Sequence, residues 1–277
     1  MSGILYVVGT PIGNLSDFSP RAVETLRTVD FIAAEDTRVT LKLLTHFEIK
    51  KPLISYHEHN KLSRGEEIIR RIQAGENAAI VSDAGMPCIS DPGEDLVRMA
   101  AEADIRTEVV PGPSAAISAL CVSGLATSRF VFEGFLSTNK RNRRIHLESV
   151  KDDTHTLIFY EAPHKLLSTL TDMRDAFGAD RRISLARELT KIHEEVRRTT
   201  LGEAVNYYTE NTPKGEFVLI IEGAEPPAPP EITLEDAVDA ARQLVEEGLR
   251  PTDAAKQISA QTPFRKSEIY TALINEE

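Results

Sequence analysis

Short, mostly apolar runs alternate with amphipathic stretches along the first half of the chain. Ile4–Val8, Phe31–Ala34, Leu53–Tyr56, Ala78–Val81 and Thr107–Val110 are too short for helices and read as buried strands. Between them the apolar period lengthens to that of a helix. Ser19 and Pro20 supply an N-cap and a first-turn proline for a helix reaching Val29, with Ala22, Val23, Leu26 and Val29 on one face. A second helix carries Leu41, Leu43 and Leu44, and a third runs from Arg64 to Ala74 and closes at Gly75. The helix Ala115–Val122 is almost wholly apolar and is expected to be buried. Regular alternation of strand and helix predicts a mainly parallel α/β sheet.

The pattern restarts near Gly124–Thr127. Phe130–Glu133, Thr156–Tyr160, Ile183–Ala186, Glu195–Leu201 and Phe217–Ile221 read as strands, with helices after His164 and over Glu203–Tyr208. This second α/β unit is expected to have more antiparallel character. Glu225–Glu231 (EPPAPPE) reads as a stiff proline-rich linker. Beyond it lie three short helices, with Thr233 and Asp236 as a capping box, Thr252 as the second cap and Thr262–Pro263 opening the third. The expected organisation is an α/β domain over 1–124, a second over 125–224, the linker 225–231 and a helical module over 232–277.

The predicted strands share one habit: they end in clusters of small, proline and charged residues. These are Gly9-Thr10-Pro11, Glu35-Asp36-Thr37-Arg38, Asp83-Ala84-Gly85, Pro111-Gly112-Pro113-Ser114, Glu161-Ala162-Pro163-His164 and Arg187-Glu188. One such cluster is ordinary turn chemistry. Six at equivalent strand ends predict a shared cleft at the carboxyl edge of the sheets, where α/β folds bind ligands. The longest loop follows Ala78–Val81 and holds two acids. Asp83, at the strand end, is expected to face the site, whereas Asp91, ahead of Pro92, is expected to cap the next helix.

Composition narrows the classes. A net charge of −11 argues against a general nucleic-acid coat protein, although it leaves room for a local basic patch. Thr138–Lys151 is such a patch, with five Lys/Arg against one acid and no aromatic residue for base stacking. No apolar run approaches the roughly 20 residues of a membrane span, and the first residues lack a signal-peptide layout. With two cysteines, Cys88 and Cys121, in apolar, small-residue contexts, buried reduced thiols and a cytoplasmic protein are expected. There is no phosphate-binding G-x-x-x-x-G-K-[ST] loop, no G-x-G-x-x-G after the first strand and no Cys-x-x-Cys. His57-Glu58-His59 lacks the helical spacing of a metalloprotease pair, and no metal is expected.

In order along the chain, GTPIGNL (9–15), AEDTR (34–38), SDAGMP (82–87), PGPSA (111–115), FYEAPH (159–164), RELTK (187–191) and KGEF (214–217) together resemble the tetrapyrrole-methylase superfamily. Within it they resemble the branch that methylates small-subunit ribosomal RNA. The resemblance spans residues 3–223, and the tail is similar to that branch's helical appendage. One departure is visible: tetrapyrrole enzymes typically carry Gly-Asp-Pro where this chain has Asp83-Ala84-Gly85.

The resemblance implies two α/β domains with S-adenosylmethionine in the cleft between them, usually in a homodimer. It also implies 2′-O-methylation of a decoding-centre cytidine in 16S rRNA. It places Pro11, Asp83, Gly85, Met86, Ile89, Ser114 and Ala115 on the cofactor from the first domain, and Tyr160, Ala186, Arg187, Lys214 and Gly215 from the second. Transfer to a ribose hydroxyl calls for positioning and for help in removing its proton. Glu35, Asp36, Lys165, Arg187, Glu188 and Lys191 are the strand-end polar residues able to serve; Lys165 and Glu188 are the candidates for proton handling. Arg38, Arg187 and Lys191 are candidate phosphate or ribose contacts. Lys140, Arg141, Arg143 and Arg144 of the basic segment, and Arg250, Lys256, Arg265 and Lys266 of the tail, are candidate RNA contacts. A tetrapyrrole methylase and a non-catalytic ribosome-assembly protein remain the alternative readings.

Overall fold

The computed structural model describes residues 2–226 and 232–275, and the chain divides into two compact units, 1–225 and 226–277. In the larger unit the alternation of apolar runs becomes β1 (Ile4–Val8), α1 (Pro20–Thr28), β2 (Phe31–Ala34), α2 (Thr37–His46), β3 (Leu53–Ser55), α3 (Lys61–Gln73), β4 (Ala78–Val81), α4 (Glu94–Glu102), β5 (Arg106–Val110) and α5 (Ala115–Ser123). The strands form one all-parallel sheet in the order β3-β2-β4-β1-β5. β2 and β4 are buried at every position, which is why their sequences show no alternation. One apolar cluster, with Leu5, Phe31, Ile68, Ile80 and Leu96, fills one face; Val8, Phe18, Leu26, Ile32 and Leu44 belong to another. Ser19 caps α1 as expected, its hydroxyl accepting from the Ala22 N–H at 3.1 Å. At the carboxyl edge Gly9 and Gly112 meet backbone to backbone: a Cβ on Gly112 would lie 2.8 Å from the Gly9 Cα.

The second sheet is built from β6 (Phe130–Phe135), β7 (Thr156–Glu161), β8 (Arg182–Arg187), β9 (Glu195–Thr200) and β10 (Phe217–Ile221), with α6 (Lys140–Val150), α7 (Leu166–Phe177) and α8 (Leu201–Glu210). Its order is β6-β7-β10-β8-β9; β6 and β7 run parallel, and β10 is antiparallel to both neighbours. Thr200 and Glu203 form a capping box at the start of α8. α6, α7 and α8 cover one face over a core that includes Leu147, Phe159, Leu170, Met173 and Leu219, and α5 packs on the other.

Two expectations are overturned here. Arg143 is not an RNA contact: it lies on the same stripe of α6 as Leu147, is 6% exposed, and its Nε donates to buried Asp172 at 2.9 Å. Arg144, exposed, donates to the other Asp172 oxygen at 2.8 Å. Helix α5 is not wholly buried either. Ala116, Ala119 and Leu120 face the core, whereas Ile117, Cys121 and Val122 are exposed. The helix carries no polar stripe to betray that second face. Cys121 is therefore a surface thiol and Cys88 only half-buried.

The smaller unit consists of α9 (Leu234–Glu246), α10 (Pro251–Ser259) and α11 (Lys266–Asn275), packed around Val238, Ala241, Ala254, Ala255, Ile258 and Ile269. The Thr233–Asp236 capping box forms. Thr252 does not cap α10: Arg250 occupies that position and Pro251 the first turn. Thr262 and Pro263 precede α11, which begins only at Lys266. Residues 227–231 of the expected linker lie outside the described residues.

Candidate methyl-donor cleft

The carboxyl edge of the parallel sheet and the edge of the mixed sheet enclose a cavity of about 480 Å³. That is within the range of small-molecule sites. Asp83, Gly85, Met86, Ile89, Ser114 and Ala115 line it from one side, and Tyr160, Ala186, Glu188 and Lys191 from the other. Ten of the residues singled out in the sequence are thus brought together. Pro11, Lys165, Arg187, Lys214 and Gly215 lie off its wall. Arg187 turns toward the His193 carbonyl and Glu195, and the Lys165 N–H donates to the Ala162 carbonyl just ahead of α7. Gly215 acts at one remove. A Cβ there would lie 2.4 Å from the Glu188 Cγ, so only glycine lets Glu188 reach its place. Arg38 is exposed and paired with Asp36 at 2.6 Å.

The loop after β4 departs most from expectation. α4 starts at Glu94 with Gly93 before it at φ 137°, so Asp91 does not cap the helix. The irregular backbone continues through Cys88 (φ 73°) and Ser90 (φ 60°), both non-glycine residues in the left-handed region. This path carries Asp91 onto the cavity wall with Glu35 and Asp83. The loop is pinned by Thr10 and Gly85, which exchange N–H···O bonds at 2.9 and 3.1 Å. Burial raises the proton affinity of all three acids, and repulsion from neighbouring carboxylates, Asp36 in the case of Asp83, adds to it. Asp91 is pushed furthest, to about 6, by burial first and then by the Glu35 charge; the neighbouring Ser82 hydroxyl pulls the other way. The proline directly after Asp91 suggested a helix start; Gly93, free to take a positive φ, was the contrary signal.

The facing wall is held by ion pairing. Lys191 Nζ donates to Glu188 and Glu216, each at 2.9 Å, and the Glu216 N–H donates to Glu188 at 3.0 Å. These bonds hold the Glu188 carboxyl below its usual range, Lys191 contributing most, so it is a poor proton acceptor. Glu188 (φ 50°) and Thr190 (φ 65°) repeat on this side the left-handed backbone of the loop after β4. Tyr160 ties the walls together, its hydroxyl accepting from the Ala116 N–H at 3.1 Å.

A second cavity of about 500 Å³ adjoins the first. Glu35, Ser90 and Asp91 belong to both, and His57, His59 and Cys88 lie farther out. Among the described residues no group of three or more His, Cys, Asp or Glu could hold a metal ion.

An all-parallel sheet facing a mixed one across a ligand-sized cleft is the fold of the class III methyltransferases. The sequence model of the tetrapyrrole (corrin/porphyrin) methylases matches residues 4–205, and the chain belongs to that family. A ribosomal RNA small subunit methyltransferase I from Synechocystis sp. is 54% identical over 268 residues, covering 97% of this chain and 96% of that protein. One of the same name from Thermotoga maritima is 48% identical over 223 residues, which is 80% of this chain and all of that protein. Among solved structures, a diphthine synthase superimposes with a TM-score of 0.61 at 13% identity, over 80% of this chain and 90% of that one. The cofactor is S-adenosylmethionine. The cavity fits it chemically. Ile12, Met86, Ala115, Leu189 and Val218 offer an apolar bed for a purine, and the Asp83 carboxylate suits a sulfonium or an ammonium.

Proposed function

We propose that this protein transfers a methyl group to the ribose 2′-oxygen of a decoding-centre cytidine in 16S rRNA. The observation that carries this reading is near-full-length identity to proteins named for methylation of small-subunit ribosomal RNA. The cavity supplies the chemistry. S-adenosylmethionine, when bound, provides an electrophilic methyl group that needs an in-line nucleophile and no covalent enzyme intermediate. The task of the chain is then to hold donor and hydroxyl in line, exclude water and take up one proton. Asp83, Met86, Ser114, Ala115, Tyr160 and Ala186 are proposed to hold the donor. Lys191 is already neutralised by two carboxylates and serves to brace the wall.

Exposed Lys140 and Arg141, together with Arg144, Arg38 and, in the smaller unit, Arg250, Lys256, Arg265 and Lys266, are the proposed phosphate contacts. A cytoplasmic homodimer is part of the same reading, supported by the exposed apolar side chains Ile117 and Val122 on α5 and Val109 on edge strand β5.

Ribose-methylation mapping of small-subunit rRNA with and without the protein tests the reading. A protein-dependent 2′-O-methyl mark on a decoding-centre cytidine supports it; no ribose mark overturns it. Absence of S-adenosylmethionine affinity in calorimetry would instead favour an assembly factor. Removing residues 226–277 is expected to weaken binding to small subunits about tenfold while donor affinity stays within twofold. The Thermotoga relative, matched over its whole length by 80% of this chain, supports a core that works without such a unit. Unchanged subunit binding would take the tail out of RNA positioning.

A further inference from the structure

Six carboxylates line the donor cavity, and four of them are set aside by burial, ion pairing or place. Glu161 is buried and accepts from the Ala162 N–H at 2.8 Å and the Thr169 hydroxyl at 2.5 Å. Glu188 and Glu216 share Lys191. Asp83 accepts the Asp36 N–H at 3.1 Å and has no place in the adjoining cavity. Glu35 and Asp91 remain. Both stand on the wall common to the two cavities, and neither is within ion-pair distance of a cationic side chain among the described residues, although His57 across the adjoining cavity attracts the Glu35 charge.

We infer that Asp91 accepts the proton of the ribose 2′-hydroxyl, with the target nucleoside arriving through the adjoining cavity. This inference rests on the methyl-transfer reading above. The adjoining cavity is lined by Glu35, Asp91 and Glu94, and by Glu58, which Lys61 pairs at 2.7 Å. Such a wall repels phosphate and leaves the RNA backbone outside, while a neutral ribose and base can enter. A hydroxyl presented there meets the shared wall on its way to the donor. The O–H bond breaks toward the Asp91 carboxylate, the freed oxygen pair forms the new O–CH₃ bond, and the C–S bond breaks with its electrons remaining on sulfur. The proton then leaves from Asp91 to water.

The surroundings suit that role. Asp91 faces Glu35 at the end of β2, Asp83 at the end of β4 and Tyr160 from β7; Cys88 and Glu94 are its own loop neighbours. His57 and His59 stand across the adjoining cavity. A carboxyl raised to about 6 is ionised at neutral pH yet more basic than an ordinary aspartate. Glu35 is a positioning residue in this scheme, since its charge contributes to the basicity of Asp91.

The test uses the full chain, S-adenosylmethionine and small ribosomal subunits lacking the mark, in single turnovers from pH 5 to 9. The wild-type rate should rise tenfold per unit at low pH and level off once Asp91 is ionised. Asp91→Asn should lose at least about a hundredfold of the plateau rate and its acid limb, with calorimetric donor affinity within twofold of wild type. Glu35→Gln should move the acid limb to lower pH. An Asp91→Asn variant keeping a third of the rate, or losing donor affinity in step with rate, overturns the inference. So does a Glu35→Gln profile that does not move, a readout that survives even if Asp91→Asn fails to fold. If wild type places no methyl on ribose, the functional reading falls instead.

Discussion

Replacing Asp172 by alanine is expected to lower folding stability by about 3–5 kcal/mol, read as a shift of the urea midpoint with unchanged slope. Asp172 is 3% exposed and is the carboxylate on which buried Arg143 and the outer Arg144 converge. Its removal leaves the Arg143 guanidinium charged, desolvated and short of its partner, which costs more than the ion pair itself contributes. A double replacement, Arg143→Met with Asp172→Leu, should recover most of the loss, because it removes the buried charge as well. The pH dependence follows from the same geometry. Burial pushes the Asp172 carboxyl up, but hydrogen bonds from Arg144 and Arg143 outweigh it and hold the group below its ordinary value of 3.8. Its stabilisation is therefore fully present above that value and is lost as pH falls through the lower, folded one. Asp172→Ala should flatten this acid limb of the stability curve.

Gly112→Ala is the second large effect expected, about 3 kcal/mol of destabilisation together with a loss of donor affinity of tenfold or more. The added carbon would meet the Gly9 Cα at 2.8 Å and its carbonyl carbon at 2.9 Å, both backbone atoms that no rotamer change can clear. Relief requires the ends of β1 and β5 to separate, and Gly9 is bonded across them to the Val110 carbonyl. Thr10, next along, holds Gly85 and with it the Asp83–Asp91 loop. The strain should therefore reach the cavity. Urea titration and calorimetry measure the two consequences; an intact melting curve with weakened donor binding would show that the loop, not the sheet, gives way.

The strands were legible because fully buried β2 and β4 must be apolar at every position, and the ordered strand-end clusters announced the cleft. What stayed illegible was side-chain direction at a few positions. Arg143 looked like its basic neighbours, and only the helical register placing it with Leu147 separates it from them. Glu188 reaches the cavity wall, and the partners that lower its proton affinity, Lys191 and Glu216, lie three and 28 residues away. Lys165 sits before α7 and off the wall. Asp91 is masked by a proline that suggests a helix two residues too early.

Cys88, Ser90, Glu188 and Thr190 hold left-handed backbone on opposite sides of the cavity, a conformation costing of order 1–3 kcal/mol at each such residue. Selection for heat resistance alone would therefore be drawn toward glycine at these four positions. Each such change would relieve the fold while loosening the rim that fixes the acids. Thermal endurance and turnover are set against each other at this cleft, and a thermostabilised variant that stays fast must find its gains elsewhere.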